Sequence, residues 1–131
     1  MFEESDVVFR YTRKQAIADG VLVDLMQPET ESLVKEAGFK WPIAITASAF
    51  SAAVCPLGES LPEGQDLKGR LWDLLQKLRL AARSSPPHSD RVHFQVLVWD
   101  GKRHQTVRLW SLRGPGDQGE PVLTVMLEGE D

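Results

Sequence analysis

Residues able to do nucleophilic or metal chemistry are few in this sequence and widely spaced. Cys55 is the single cysteine, and the three histidines are His88, His93 and His104. A zinc or iron site needs several ligands at a recognisable spacing, and a nucleophilic cysteine needs a base held beside it. Cys55 precedes a proline after an apolar stretch, a position typical of a buried packing residue. The sequence therefore predicts no metal site, no cofactor and no catalytic residue, and it favours a protein that is not an enzyme.

The glycine-rich stretch at residues 114–119, Gly-Pro-Gly-Asp-Gln-Gly, matches the G-x-G-x-x-G pattern letter for letter. A dinucleotide site needs that pattern between a strand and a helix, so that the helix N-terminus faces the pyrophosphate. Here the stretch lies between two predicted antiparallel strands. The expected structure is a hairpin loop.

Aromatic and basic residues in the C-terminal half give the clearest indication of binding. The chain has four tryptophans, of which Trp99 and Trp110 fall on predicted strands opposite their apolar face. If that face is uncovered, they would form an exposed aromatic and basic patch with Leu97, Leu112 and Arg108. Trp and Arg dominate protein–protein hot spots, and the same pairing can stack on single-stranded bases. The alternative is that the short N-terminal helices cover this face. We expect the two tryptophans to differ, with at least one partly exposed.

The net charge of −4 is unevenly distributed. Residues 68–113 carry ten basic against three acidic side chains, and the remaining residues carry five against sixteen. This basic segment indicates either a surface for an acidic partner or ordinary charges on helix and strand exteriors. The candidate partner-binding residues are Trp99, Arg108, Trp110, Lys77, Arg79, Arg83 and Arg103.

A smaller polar cluster is predicted near the N-terminus from Arg13, Asp19 and Asp24, with an ion pair between Arg13 and Asp24. The alternative is that these are exposed charges on a short helix, which contribute little to stability.

The elements that position these residues begin with a helix and a strand joined without a linker. Thr12 and Gln15 form a Thr-x-x-Gln capping box, and Gly20 fits the left-handed position after a helix. A short strand at residues 21–25 follows. A second helix ends at Gly38, residues 42–46 form another strand, and a third helix is expected over residues 49–54, capped by Thr46 or Ser48.

The second half of the sequence predicts a long helix followed by strands. Asp66 caps a helix over residues 67–83, whose leucines recur at three- and four-residue steps. Residues 92–99 then alternate, with valines and Phe94 on one face. Further strands are expected at residues 106–112 and 122–127. The fold class is α+β: a single domain over 1–131, with short N-terminal helix–strand units and one long central helix packed on a C-terminal three-stranded antiparallel meander. Residues 1–10 and 128–131 are expected to fray.

Bulk composition is that of a globular protein, with 42% hydrophobic and 26% charged residues. A lone cysteine fits a reducing compartment, and no apolar run approaches the roughly 20 residues of a membrane span. We expect a cytoplasmic protein with no membrane association.

Several sequence blocks also carry a resemblance. They are Tyr-Thr-Arg-x-Gln-Ala-Ile-x-Asp-Gly-Val-Leu-Val-Asp at 11–24, Glu-Ala-Gly-Phe at 36–39, Pro-Ile-Ala-Ile-Thr at 42–46, Gly-Arg-Leu-Trp-Asp at 69–73 and Gly-Pro-Gly-Asp-x-Gly-Glu-Pro-Val at 114–122. In these blocks the chain resembles a family of small, functionally uncharacterised bacterial proteins frequent on phages, plasmids and integrative elements. The resemblance implies a mobile-element accessory protein, and it implies no particular reaction.

The expected function is a small non-enzymatic binding protein that docks on a host or element-encoded macromolecule, with a protein as the expected partner. One concrete form is an inhibitor of a host defence complex such as a CRISPR effector. The alternative is a nucleic-acid-binding accessory protein that uses the basic segment 68–113. Salt separates the two, because phosphate binding weakens steeply with salt and an apolar interface does not.

Overall fold

The computed structural model of the chain describes residues 12–55, 60–86 and 89–130. Four α-helices and five β-strands lie in this part of the chain, in an order that places the longest helix at the centre of the sequence. In chain order they are α1 (Arg13–Ala18), β1 (Leu22–Asp24), α2 (Glu31–Glu36), β2 (Ile43–Thr46), α3 (Ala47–Ala53), α4 (Leu67–Ser84), β3 (Arg91–Trp99), β4 (His104–Pro115) and β5 (Pro121–Leu127).

The five strands form one mixed sheet in the order β1-β2-β5-β4-β3. Strands β3, β4 and β5 are successive antiparallel neighbours, which confirms the predicted meander. The sheet does not end there, because β2 pairs with β5 in parallel and β1 pairs with β2 antiparallel. The sheet is therefore five-stranded and mixed, and the three-stranded antiparallel sheet expected from the sequence is only part of it.

One face of the sheet, the inner face, packs against three of the helices. Ile43, Ile45 and Val125 are fully buried there, together with the leucine stripe of α4, Leu71, Leu74, Leu75 and Leu78. Val34 of α2 and Ala49 of α3 belong to the same core. Alternation along each strand sends every second side chain into this layer, so the even-numbered residues of β3 contact α4. The α+β class and the long helix on the meander are confirmed.

Helix α1 lies on the opposite, outer face. The Arg13 guanidinium donates to Thr124 Oγ1 at 2.7 Å, and Thr124 is directly opposite Leu112 of β4 and Ala44 of β2 in the sheet. α1 packs beside β1 on this face, and its Arg13 side chain reaches β5. The short helices are thus divided between the two faces, and the outer face of β3 and β4 lies beyond the helix.

Two short helices end in the same way, with a glycine in the left-handed region. Gly20 has φ +77 and Gly38 has φ +97. After α1, the Gly20 amide donates to the carbonyl of Ile17 and the Val21 amide to that of Ala16, which is the Schellman arrangement. Lys35 and Val34 accept in the same pattern after α2.

The helix starts also follow the sequence signals. Thr12 and Gln15 form the predicted capping box, and Asp66 accepts from the Gly69 amide at 2.6 Å to cap α4. Thr46 caps α3, which begins at Ala47, two residues earlier than expected. At α2 the Thr30 hydroxyl donates to the Leu25 carbonyl at 2.7 Å and makes no cap hydrogen bond.

Fraying is predicted near both ends of the sequence. The predicted fraying of residues 1–10 lies outside the described residues. At the other end, Glu130 Oε1 accepts from Thr46 Oγ1 and from the Leu127 amide, both at 2.8 Å. Fraying of residues 128–131 stays a prediction, and these hydrogen bonds are what it would have to break. Across residues 12–55, 60–86 and 89–130, no helix has the length and apolarity to cross a bilayer.

Candidate functional site

The turn between β3 and β4 is held by Asp100. Its carboxylate accepts from the backbone amides of Lys102 and Arg103, at 2.8 and 2.9 Å, and from the Gln105 side chain at 2.9 Å. These hydrogen bonds lower the pKa of Asp100 to about 2, and the bond from Gln105 has the largest effect. Asp100 is the only acidic side chain between β3 and β4. It is therefore ionised, and its hydrogen bonds hold the turn.

The outer face of this hairpin is exposed. Leu97 retains 58% of its surface in solvent, and His93, Gln95, Thr106 and Arg108 are also exposed. The pairing places Gln95 opposite Arg108 and Leu97 opposite Thr106, so these side chains form one continuous area. We call it the hairpin surface, and it consists of Arg91, His93, Gln95, Leu97, Trp99, His104, Thr106 and Arg108.

Trp99 and Trp110 occupy different environments, as the sequence led us to expect. Trp99 is half-buried, its ring lies 5.1 Å from that of His104, and its carbonyl accepts from Arg70. Trp99 is thus the half-buried member of the hairpin surface. A recess of ≈ 360 Å³ opens beside Trp99 and Leu97, against the first turns of α4.

Trp110 is 5% exposed and donates its indole N–H to the Leu127 carbonyl at 3.1 Å. The Arg91 guanidinium lies 4.5 Å above its ring, and the His93 ring stacks at 6.2 Å. These contacts anchor Trp110 in the sheet. The idea of an exposed patch that includes Trp110 is therefore wrong, because Arg91 and His93 occupy the side from which a partner would reach it.

The candidate basic residues separate into two groups on opposite layers. Arg103 and Arg108 belong to the β3–β4 hairpin and are exposed. Lys77, Arg79 and Arg83 belong to α4, which packs on the inner face. Arg79 is half-buried and donates to the Ala37 carbonyl at the end of α2. The basic segment 68–113 consequently does not form one patch.

Arg70 has a role that the sequence did not indicate. Its guanidinium donates to the carbonyls of Trp99 and Val54, and so joins the first turns of α4 to the ends of β3 and α3. Arg79 performs the same task at the end of α2. The sequence around Arg70 and Arg79 does not distinguish them from the exposed cations of α4. Their role in joining elements is seen only when the neighbouring elements are in place.

The polar cluster predicted around Arg13 is present, with different members. The Arg13 guanidinium donates to Thr124 Oγ1 and, at 3.0 Å, to the Leu123 carbonyl. Burial lowers the pKa of Arg13, and the charges of Asp24, Asp117 and, more weakly, Glu120 act in the opposite direction. The predicted ion pair between Arg13 and Asp24 is not formed, because the Asp24 carboxylate accepts from the Met26 amide and from the Gln27 side chain. Asp19 is the C-cap residue at the far end of α1.

The glycine-rich loop at 114–119 connects β4 to β5, as predicted. The Gly116 amide donates to the Glu120 carbonyl at 2.6 Å, and Gly119 adopts φ +81. The Asp117 carboxylate accepts from the backbone amides of Arg13 and Lys14 at 2.8 and 2.9 Å. The loop therefore caps the start of α1, and the cluster around Arg13 serves to hold α1 on the sheet.

Within the described part of the chain, the side chains with metal-binding potential do not form a cluster. Among residues 12–55, 60–86 and 89–130, no three His, Cys, Asp or Glu side chains converge in a way that could hold a metal ion. Cys55 is half-buried just after α3. His93 and His104 belong to the hairpin surface.

Comparison with known proteins places the chain in a family. A family model described as Family of unknown function (DUF6573) matches residues 1–131. The chain belongs to this family. No curated protein and no solved structure matches it.

Proposed function

We propose that this is a non-enzymatic protein-binding module, and that the hairpin surface is where it docks. The observation that carries the proposal is the exposure of Leu97 at 58%, on a strand whose other outer-face residues are polar, basic or aromatic. Arginine and tryptophan, which are enriched in binding hot spots, lie on the same surface as this exposed apolar side chain, as Arg108 and Trp99. A partner with an apolar pocket and acidic residues around it fits this surface.

Charge supports an acidic partner. Arg91, Arg103 and Arg108 are exposed on or beside the hairpin surface, and Asp100 is held in the turn. Complementary charge mainly accelerates association and selects the partner, while the apolar centre supplies most of the affinity. Leu97 is therefore the proposed anchor, and the arginines are the proposed steering residues.

The alternative, nucleic-acid binding, has weaker support. Sequence-tolerant stacking needs accessible aromatic rings beside a basic groove. Trp110 is buried, Arg70 and Arg79 donate to backbone carbonyls, and the exposed cations of α4 lie on the layer opposite the hairpin. Protein binding is the function we favour.

The proposed setting is the cytoplasm of a bacterium that carries the gene on a mobile element. It rests on the resemblance in the blocks at 11–24 and 114–122, which the fold brings into contact through Asp117 and Arg13. A small protein of this kind that docks on a host defence complex, such as a CRISPR effector, is a specific form of the proposal.

The test is capture from a bacterial lysate by the immobilised protein, with and without nuclease. Leu97→Asp and Arg108→Glu should each abolish capture while their melting temperatures stay near that of the wild type. Val21→Asp is the matched control, because Val21 is 50% exposed and lies at the opposite edge of the sheet. Capture that survives Leu97→Asp, or that disappears with nuclease, would contradict the proposal.

A further inference from the structure

Strand β3 is an edge of the sheet, and it is long and regular. It runs nine residues, Arg91–Trp99, and every one of them is paired with β4 in an unbroken register. Edge strands of soluble proteins are commonly protected by lysine, proline, bulges or short length. β3 contains neither lysine nor proline and its register has no bulge. The opposite edge, β1, has three residues.

The hydrogen-bond pattern shows which backbone groups of β3 point outward. The Asp100 amide donates to the Arg103 carbonyl, and the Arg113 amide donates to the Asp90 carbonyl. Because bonded pairs alternate in an antiparallel ladder, the even-numbered residues from 90 to 100 face β4. The N–H and C=O groups of the odd-numbered residues of β3 therefore point away from the sheet.

Side chains already form hydrogen bonds with some of the backbone groups that strand pairing leaves open. Arg70 donates to the Trp99 carbonyl, and Ser89 Oγ donates to the Arg91 carbonyl at 2.6 Å. At the end of β5, Glu130 accepts from the Leu127 amide and Trp110 donates to the Leu127 carbonyl. The fold thus closes the ends of its exposed ladders.

The middle of β3 is different. Among the described residues, no hydrogen bond reaches the outward N–H or C=O groups of His93, Gln95 and Leu97. Three donors and three acceptors at successive ladder positions are a template for one further strand.

We propose that this further strand is β3 of a second copy of the chain, added antiparallel across a two-fold axis at Gln95. Pairing of the three open positions, His93, Gln95 and Leu97, with the same three positions of the second copy fixes that register. It sets Gln95 opposite its own copy, His93 opposite Leu97 of the second copy, and Arg91 opposite Trp99 of the second copy. Like charges directly opposite one another would destabilise the pair, and this register contains none.

The other face of the strand fits the same register. Val92 is set opposite Val98 of the second copy and Phe94 opposite Val96, so every pair on the helix-covered side is apolar. Val92 and Phe94 are half-buried in one copy, although they lie on the inner face. The strand is therefore complementary to itself on both faces, and this is why a second copy is the occupant we favour over a strand from another protein.

Pairing of this kind would create a ten-stranded sheet with both hairpin surfaces on the same side. Dimerisation goes beyond the proposed function and does not depend on it, since it uses the backbone edge and is measured without any partner. The partner would then meet two adjacent copies of Leu97 and Arg108. The loss of either property alone identifies which proposal has failed.

Sedimentation equilibrium of the full chain over a range of concentrations tests the inference. The wild type should form a dimer. Gln95→Lys and Gln95→Glu each place two like charges opposite one another, so the dimer dissociation constant should rise at least about fivefold. An equimolar mixture of the two variants should form a heterodimer at least as tight as the wild-type dimer, because the opposed charges then attract.

Thr106→Lys and Thr106→Glu are the matched controls. Thr106 is exposed on the same face, one strand further in, and pairs with Leu97. These variants and their mixture should dimerise like the wild type. Gln95→Pro gives an independent check, since it removes an outward donor without breaking a bond to β4 and should also prevent dimerisation. A wild type that stays monomeric, Gln95→Lys or Gln95→Glu variants that dimerise as tightly as the wild type, or a mixture that stays monomeric would each overturn the proposal.

Discussion

The Asp117 carboxylate accepts a hydrogen bond from the Arg13 backbone amide at 2.8 Å, across 104 residues of sequence. A side chain from the β4–β5 loop therefore caps α1 from a distant part of the sequence, while Thr12, the residue just before the helix, supplies a second cap. An anion at this position also interacts favourably with the helix dipole. The short helix gains from this contact an anchor that its own length does not provide.

We expect Asp117→Ala to lower the free energy of unfolding by about 0.5–2 kcal/mol, the usual range for loss of a cap. Asp117→Asn keeps a hydrogen-bond acceptor and should cost less. Chemical denaturation measures both, with Gln118→Ala, an exposed neighbour in the same loop, as the control. Equal stability of the Asp117→Ala variant and the wild type would show that the loop does not hold α1.

The two helix-ending glycines should differ in their response to alanine. A left-handed conformation costs a non-glycine residue roughly 1–2 kcal/mol, so Gly20→Ala should destabilise by about that amount. Gly38→Ala should cost more, because its new Cβ would displace the Arg79 guanidinium from its hydrogen bond to the Ala37 carbonyl, whereas Gly20 has open space around it. Thermal melts of the two variants give the comparison.

Gly114→Ala serves as the reference for these two glycines. Gly114 does not have a positive φ, and the methyl group of an alanine there would meet no other atom within 4 Å, so the substitution should be close to neutral. If Gly20→Ala is as well tolerated as Gly114→Ala, the left-handed cap contributes nothing to stability.

The leucine stripe of α4 should behave as core. Leu74→Ala, Leu75→Ala and Leu78→Ala should each cost about 2–5 kcal/mol, because their side chains are fully buried. Lys77→Glu, on the exposed side of the same helix, should change stability by no more than about 0.5 kcal/mol. Urea titrations of the four variants would contradict this arrangement if they gave similar midpoints.

Trp110 should also behave as a packing residue although it lies on the outer face. Trp110→Ala should cost about 3–5 kcal/mol, as truncations of large buried aromatics do. Trp72→Ala is the control, because Trp72 is 36% exposed. Differential scanning calorimetry should show a large loss for the first variant and a small one for the second. Comparable melting temperatures of the two variants would show that Trp110 does not contribute to packing.

The hairpin turn should have a characteristic pH dependence. The pKa of Asp100 is about 2 in the folded protein, below the ordinary value of 3.8. A depressed carboxyl pKa means that its contribution to stability is complete above the ordinary pKa and is lost as the pH falls towards 2. An NMR titration of the Asp100 carboxyl carbon should give a midpoint near 2, and Gln105→Ala should raise it. A midpoint at the ordinary value would exclude the proposed turn geometry.

Local features of this fold were predictable from sequence because they depend on neighbouring residues. The capping box at Thr12, the caps at Thr46 and Asp66, and the glycines that end α1 and α2 are contained within a few positions. The stripe of α4 and the alternation of β3 follow from periodicity in the same way. These signals were sufficient for the α+β class.

Pairings between distant segments were not predictable. The residues of β2 predict a strand, and nothing in them indicates that it lies parallel to β5. Arg70 and Arg79 have the sequence character of exposed helix cations, and they donate to backbone carbonyls only because β3 and α2 end beside α4. The candidate surface was half predicted, since Leu97, Trp99 and Arg108 lie on it and Trp110 does not.

The parallel pairing of β2 with β5 also determines when the chain can fold during translation. Ile43 pairs with Leu123, eighty residues later, so the central pair of the sheet cannot form until β5 has left the ribosome. Until then β2 and the leucine stripe of α4 remain apolar surfaces without the complete sheet. Contacts of such long sequence separation slow folding. The nascent chain therefore keeps apolar surface exposed over most of its synthesis, and β5 is the segment whose emergence ends that exposure.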